Sequence, residues 1–415
     1  MPSKLTTNLT LIPLLQLMIG VSAGCIKRTP SQSDPNAKAA GSPRVGVLMA
    51  SHGDIDDPET ELEDYIKTAF LHNVGIPLPA WTRGPITDPA YRLSVKTVRD
   101  QYDIIGPTRY REFAEKQMKA IDTELKSVGV DGKAYFGANF THPYIHETLD
   151  QMRKDGVSTI VVFNKGAQFS YASSGENMDD VLDYLNEHKD WNVRVIGRFQ
   201  YSEDERFRNA WAQAIERDVK ASFPGASPKD VCVLAGSHGL PLWLTDKGDP
   251  AIRQMNRTFD WLKKKLPDYK LYHGFLNDDF FPGARWVEPN SQVVAEEMQA
   301  DGCQNILFDG RLSFTTHHRA TLYDLNHVAR GILENPPKKS SSGSSKWVKP
   351  KVVLAPNFDD DKAYANLMAN LTLEALVGVG DILVLKEKDG KPLAKGFVST
   401  PGAFAAQFKQ YKWPE

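Results

Sequence analysis

The chain has 415 residues, of which 41% are hydrophobic and 25% charged, and its formal net charge is −2. This is the composition of a folded protein long enough for more than one domain, and it contains no basic run with interleaved aromatic residues that would indicate a nucleic-acid partner. Three cysteines are too few for an all-cysteine iron–sulfur cluster. We therefore expect the function in a local site and not in the overall charge.

The first 25 residues resemble a bacterial export signal. Lys4 precedes a short apolar run, and three small residues lead to Cys25. The run is too short for a comfortable membrane span. Small residues before a cysteine resemble a lipoprotein signal, in which Cys25 becomes the lipidated N-terminus; secretion without a lipid is the alternative. Residues 26–43 are polar and predict a flexible tether, so we expect an exported protein of the bacterial cell envelope or periplasm that is lipid-anchored to a membrane.

Alternating strands and helices are predicted in a first half, residues 44–200. Apolar β-branched runs predict the strands, and apolar residues at helical spacing predict the helices. The strands are predicted at 44–50, 134–138, 158–164 and 192–196, and the helices at 58–70, 109–128, 143–154 and 178–188. A region rich in Pro, Gly and Trp, at 76–102, is predicted to be irregular, and residues 168–175 are predicted to form a polar loop.

The second half, residues 201–335, repeats this pattern. Strands are predicted at 231–235, 270–274 and 305–308, helices at 203–223, 251–265, 293–300 and 318–333, and an aromatic-rich loop at 277–289. The alternation predicts an α/β fold of two Rossmann-like, doubly wound halves that face a cleft. After a Lys-Ser-Gly linker at 336–346, residues 347–415 predict a small α+β extension of unassigned role, with a strand at 352–354, a helix at 361–376 and a hairpin at 382–398.

The predicted strand at 231–235 leads to the candidate site. Gly236 is expected to end this strand, so that Ser237 and His238 project from its carboxyl end, where open α/β sheets bind ligands. A second Ser-His-Gly sequence follows the first predicted strand and puts His52 at the corresponding position. The two imidazoles are expected to face one another across the cleft; a His52 that only caps its turn is the alternative.

The two cysteines beyond the signal are expected to be buried. Cys232 lies in an apolar strand, and Cys303 follows a predicted helix end. Both are expected to pack as small hydrophobic residues. A disulfide between them requires close Cα atoms, which the sequence does not define.

Four motifs, in order along the chain, resemble those of the ferrochelatase family. They are Gln168-Phe169-Ser170 with Ser173-Ser174-Gly175, Ser237-His238-Gly239-Leu240-Pro241 with Gly248-Asp249-Pro250, Trp286-Val287-Glu288-Pro289, and Phe314-Thr315-Thr316-His317-His318-Arg319-Ala320-Thr321-Leu322-Tyr323. The resemblance covers about residues 44–333. It implies two Rossmann-like halves that hold a porphyrin in the cleft, and insertion of Fe²⁺ into protoporphyrin to form haem.

The resemblance also implies roles for single residues. His238 is expected to be catalytic and a metal ligand, because an imidazole with a pKa near neutrality can take a pyrrole proton or bind the incoming metal. The macrocycle requires an apolar, aromatic slot. The residues expected to contact it are Gln168, Ser170, Ser237, Phe281 and Trp286. Arg83 and Arg285 are candidates for pairing with its propionates.

The chain departs from the family pattern at two places. Ala320 occupies the position of the family's catalytic glutamate, which is expected to slow metal insertion unless another group replaces that carboxylate. His318, which matches a family histidine, is the candidate substitute catalyst, and His317, where the family has Asp, is a candidate metal ligand. His52 is the second departure. It resembles the metal-binding histidine of small cobalt and nickel chelatases, and a neutral imidazole suits such metals.

Three functions follow as competing hypotheses. The first is a ferrochelatase-like lyase with Fe²⁺ as substrate and no permanently bound cofactor. The second is an exported chelatase of the sirohydrochlorin and cobalt type. The third is a non-catalytic envelope protein that binds haem or porphyrin. The expected partners are a tetrapyrrole, a divalent metal ion and, through the lipid anchor, a membrane, without nucleic acid.

Overall fold

The computed structural model describes residues 45–72, 80–276, 285–337 and 347–399, and it leaves out the side chains of 80–91 and 93. The predicted signal with Cys25, the tether, Phe281 and most of the 336–346 linker lie outside the described residues. Among the residues that are described, no helix is both long and apolar enough to cross a membrane.

The described elements alternate between strand and helix for most of the chain. The strands are β1 (Val45–Ser51), β2 (Gly132–Ala138), β3 (Thr159–Asn164), β4 (Arg194–Arg198), β5 (Val231–His238), β6 (Lys270–Leu276), β7 (Asn305–Asp309), β8 (Lys351–Leu354) and β9 (Ile382–Lys386). The helices are α1 (Pro58–His72), α2 (Ala80–Ile105), α3 (Tyr110–Ser127), α4 (Ile145–Lys154), α5 (Glu176–Glu187), α6 (Glu205–Ser222), α7 (Leu242–Asp246), α8 (Ala251–Lys265), α9 (Ser291–Ala300), α10 (Arg330–Glu334) and α11 (Lys362–Leu376). Short π-helices, Tyr171–Gly175 and Thr321–Ala329, precede α5 and α10.

Two sheets with matching strand orders organise the molecule. One has the order β2-β1-β3-β4-β9 and the other the order β6-β5-β7-β8. All neighbours pair in parallel except β4 and β9. In each sheet the first strand lies between the next two in sequence, which is the switch point where parallel α/β sheets bind ligands. The predicted fold of two doubly wound α/β halves is confirmed, and β1 and β5 occupy equivalent positions.

The C-terminal extension is integrated into both halves. Strand β8 pairs with β7 in the second sheet, and β9 pairs with β4 in the first. Helix α11 packs against α3 and α6. The hydroxyl group of its buried Tyr364 shares a hydrogen bond with the hydroxyl group of Tyr201, at a distance of 3.0 Å. The extension therefore ties the two halves together.

Two local predictions are wrong. Residues 80–105 form helix α2, although 76–102 was expected to be irregular. The apolar residues Val95, Val98 and Tyr102 recur at helical spacing and pack with Ile66 of α1, so tertiary packing outweighs the Pro and Gly content of this segment. The hairpin expected at 382–398 is also absent from the described residues, since β9 pairs with β4 instead.

Strand β5 is longer than expected. Gly236 does not end it, and the strand continues to His238. A Cβ atom at Gly236 would come within 3.1 Å of the Leu325 side chain and 3.4 Å of the Leu276 side chain. The glycine thus permits close packing against the strand and not a turn.

A disulfide joins β5, the strand that ends in His238, to the segment that precedes β7. Cys232 of β5 is bonded to Cys303, which precedes β7, with their Cα atoms 6.0 Å apart. Both cysteines are buried in the hydrophobic cluster of the second half. The expectation that they only pack as hydrophobic residues is therefore corrected, because the adjacent positions of β5 and β7 bring them within bonding distance.

Candidate active site

A cleft opens at the carboxyl ends of the parallel strands. It is lined by residues that follow β1, β3, β5 and β7, and so by both halves. Its empty volume is about 1730 Å³, including solvent at the mouth. Ring side chains form much of the wall: Tyr65, Tyr110, Phe140, Trp243, Trp286 and Phe314. Trp286 thus lies in an aromatic cleft wall of the kind that a flat apolar ligand requires.

His238 lines the cleft at the end of β5. Its Nδ1 lies 2.6 Å from the Gly239 carbonyl oxygen, so Nδ1 carries the proton and donates it, and the lone pair of the neutral ring is on Nε2. Burial lowers the pKa of His238, although the Gly239 carbonyl opposes this shift. The imidazole is therefore neutral near pH 7 and able to accept a proton or bind a metal.

His52 lines the same cleft at the end of β1. It follows the buried strand directly and precedes Gly53, whose φ of 83° favours glycine. Burial, together with the repulsion that a protonated His238 would exert, lowers the pKa of His52 to about 4 despite a backbone hydrogen bond to Ala172. Its Nε2 is buried without a hydrogen-bond partner among the described residues, and this atom lies 3.8 Å from Oε2 of Glu176.

His318 is the third imidazole in the cleft lining. Its Nδ1 accepts a hydrogen bond from the Ala320 amide at 3.0 Å, so the neutral ring carries its proton on Nε2. Burial, the repulsion that a protonated His238 would exert and the charge of Arg319 lower the pKa of His318 well below the usual range. The ring packs edge-on against Phe314 with the centroids 4.2 Å apart. His318 therefore offers the cleft a hydrogen-bond donor and not a metal-binding lone pair.

Two of the predicted site residues do not line the cleft. Both ring nitrogens of His317 are hydrogen-bonded inside the protein, Nδ1 with the Thr321 hydroxyl at 3.2 Å and Nε2 with the Ala355 carbonyl at 3.1 Å. Ser237 is fully buried, and its hydroxyl lies 2.7 Å from Nε2 of His273 on the adjacent strand. The structure thus gives neither side chain access to a ligand in the cleft.

Gln168 and Ser170 reach the cleft wall, but their polar atoms connect the two halves. Gln168 Nε2 donates to the Leu312 carbonyl at 2.8 Å. The Ser170 hydroxyl donates to Oδ2 of Asp249 at 2.7 Å, and the Tyr171 amide donates to the same oxygen at 2.9 Å. The motif with Gln168 and Ser170 and the motif with Asp249 therefore form a contact between the two halves at the cleft wall.

Replacing Asp249 by Ala is expected to lower the free energy of unfolding by about 2 kcal/mol, because buried donors of Ser170, Tyr171 and Ala251 lose their acceptor. Urea unfolding measures this change. Asp246→Ala, which removes an exposed carboxylate a few residues away, is the matched control. Equal stabilities of the two variants would contradict the assigned contact.

The charged side chains of the cleft lining are Asp54, Lys165 and Arg319. Asp54 is 2% exposed, and it accepts hydrogen bonds from the Tyr102 hydroxyl and the Arg319 amide. Burial raises the pKa of Asp54 to about 6. Lys165 directly follows β3, and its position at a strand end is the signal by which the sequence could have identified it.

Ala320 packs in the core and not in the cleft. It is fully buried in one cluster with Phe314 and Leu325. The neighbouring Arg319 lines the cleft instead, and its guanidinium donates to the Gln101 side chain at 2.6 Å. The described cleft therefore has no carboxylate on the segment where the family motif has its glutamate.

The fold and the site together define the class of protein. It is an α/β protein with two doubly wound halves and with neutral imidazoles in the aromatic cleft between them. The chain belongs to the ferrochelatase family, whose model matches residues 44–376. It is 27% identical to the mitochondrial ferrochelatase of Bos taurus over 301 residues, 68% of each chain. It is 25% identical to the ferrochelatase of Trichodesmium erythraeum over 343 residues, 80% of this chain and 83% of that one.

A solved structure that resembles this one is SirB from Bacillus subtilis with Fe³⁺. The TM-score is 0.46 at 12% identity, and the match covers 80% of this chain and 95% of that chain. Family membership, which rests on the sequence match, gives metal chelation by tetrapyrroles as the general activity. The matched region extends beyond the predicted one and includes β8 and α11.

Proposed function

We propose that this protein inserts Fe²⁺ into protoporphyrin and so forms haem. The observation that supports this function most strongly is the convergence of His52, His238 and His318 on one aromatic cleft. All three are held neutral by burial. Neutral imidazoles can take up protons and bind a divalent metal ion, and metal insertion into a porphyrin requires both.

The hydrogen bonds of the three rings suggest different tasks. Insertion releases two pyrrole protons as Fe²⁺ enters the macrocycle. His238 accepts one of them at Nε2, since its Nδ1–H is held by the Gly239 carbonyl. His52 offers its Nε2 to the metal ion. His318 donates its Nε2–H to a polar group of the macrocycle, and the second pyrrole proton leaves to solvent at the open mouth.

Glu176 supplies the carboxylate that the chain lacks at Ala320. It is the first residue of α5, directly after the π-helix Tyr171–Gly175. Its Oε2 lies 3.8 Å from Nε2 of His52, and the side chain is buried. A negative charge at this distance stabilises a cation bound at His52. The carboxylate function is thereby transferred from the second half to the first.

We also propose that the protein acts outside the cytosol, attached to the envelope through Cys25. The export-like N-terminus supports this proposal. The Cys232–Cys303 disulfide supports it independently, because such bonds persist in oxidising compartments and are rare in the cytosol.

The chain without residues 1–25, mixed with protoporphyrin and Fe²⁺ or the fluorescent reporter metal Zn²⁺, is expected to form metalloporphyrin faster than the protein-free mixture. Absorbance and fluorescence follow the product. Turnover only with sirohydrochlorin and Co²⁺ would contradict protoporphyrin and Fe²⁺ as the substrates and would favour a chelatase of the cobalt type. Stoichiometric porphyrin binding without metal insertion would contradict the catalytic role and favour a porphyrin carrier. This outcome is tested because Ala320 replaces the family's catalytic glutamate.

A further inference from the structure

One lysine of the cleft wall, Lys165, has a side chain whose direction is fixed by its surroundings. Lys165 follows β3 at the carboxyl edge of the first sheet, and its amide donates to the Ala50 carbonyl at 2.8 Å. The side chain is only 3% exposed, yet the residue lines the cleft. The backbone bond and the tight burial fix the direction in which its ammonium group can point.

The contacts of this ammonium group are all with neutral groups. Nζ donates to the Thr316 hydroxyl at 2.8 Å, and it lies 4.8 Å from the ring centroid of Tyr110 and 5.3 Å from that of Phe136. Within the described part of the chain, no carboxylate forms an ion pair with it. An ammonium group has three donors, and Thr316 uses one of them.

A buried cation without an adjacent anion is energetically costly. The cost is visible in its ionisation, because burial lowers the pKa of Lys165 to about 7 and the more distant charge of Asp359 offsets only part of this shift. The other cation of the cleft, Arg319, has a carboxylate nearby, because its charge acts on Asp54 and lowers the pKa of that group against the effect of burial. Lys165 is thus the cleft cation for which a ligand would have to supply the counter-charge.

We infer that Lys165 binds a carboxylate of the tetrapyrrole, a propionate in the case of protoporphyrin. The inference rests on the proposed function and adds a substrate-selecting contact to it. A propionate oxygen that accepts from Nζ would pair the buried charge and anchor one edge of the macrocycle, while the aromatic wall holds its face. Anchoring at Lys165, in the first half, fixes the rotation of the ring beneath the three imidazoles. Tetrapyrroles whose carboxylates are absent or esterified would then bind more weakly.

The test compares protoporphyrin with its dimethyl ester, which has the same macrocycle without free carboxylates. Fluorescence titration of the wild-type chain lacking residues 1–25 is expected to give a dissociation constant about 10- to 100-fold lower for the free acid. In Lys165→Met this preference disappears, with both ligands bound as the wild type binds the ester. In Lys165→Arg much of it returns. Lys119→Met removes an exposed positive charge from α3 and is expected to keep the full preference.

The outcomes separate this inference from the proposed function. Equal wild-type affinity for acid and ester, or a preference that survives in Lys165→Met, overturns the carboxylate contact and leaves metal insertion intact. A preference that depends on Lys165 in a protein without metal insertion supports the contact and removes the catalytic proposal. Failure of the wild type to bind either porphyrin overturns both.

Discussion

Replacing His238 by Ala is expected to lower the rate of metal insertion by about 10²-fold or more, the usual effect of removing a general base. The imidazole is the cleft group whose Nε2 lone pair is set by a hydrogen bond on the opposite ring nitrogen. Porphyrin affinity is expected to change only a few-fold, because the aromatic wall is unaltered. The rate of Zn²⁺-porphyrin formation and a porphyrin titration measure the two effects separately.

His327→Ala is the matched control for this variant. His327 is an exposed residue of the π-helix Thr321–Ala329 and does not line the described cleft. It is expected to retain the wild-type rate. If His238→Ala also inserted metal at the wild-type rate, with the fold intact, the role given to the imidazole would be wrong.

Removal of the disulfide in Cys232→Ala/Cys303→Ala is expected to lower the free energy of unfolding by about 4 kcal/mol, the loop-closure value for a crosslink spanning some 70 residues. The two cysteines are 71 residues apart in sequence. The bond connects β5, which ends in His238, to the segment before β7. Denaturant unfolding of the chain lacking residues 1–25 measures the loss.

Reduction gives an independent control. A reductant is expected to bring the wild type to the stability of the double variant and to leave the variant unchanged. The chain lacking residues 1–25, denatured but not reduced, is expected to show no free thiol, since this truncation removes Cys25 and leaves only the two bonded cysteines. Two free thiols and no effect of reductant would contradict the disulfide and weaken the argument for an oxidising compartment.

Periodicity and strand ends are sufficient to predict the central part of this site. Apolar β-branched runs give β1 and β5, and parallel sheets present ligands at the carboxyl ends of their strands. His52 and His238 could therefore be placed at one cleft from sequence alone. The strand order did not have to be known for this, because each histidine stands in a Ser-His-Gly sequence at the carboxyl end of a buried run.

Side-chain direction could not be predicted at Ser237. Gly236 suggests a turn that would expose both Ser237 and His238, but the strand continues through them. Successive residues of a strand point to opposite sides. Ser237 is therefore directed at His273 of the adjacent strand while His238 lines the cleft.

Contacts between distant segments were equally inaccessible to sequence patterns. The Cys232–Cys303 bond follows from the adjacency of β5 and β7. His317 is withdrawn from the cleft by the Ala355 carbonyl, which belongs to the C-terminal segment. The position of Lys165 after β3 is visible in the sequence, but its burial among neutral partners is not.

The most direct test is a crystal structure of the chain lacking residues 1–25 with protoporphyrin bound. We expect the macrocycle between the two halves, with a pyrrole nitrogen facing Nε2 of His238 and the His52 imidazole on the path of the metal. A porphyrin bound elsewhere, with the imidazole cleft filled only by water, would contradict the account.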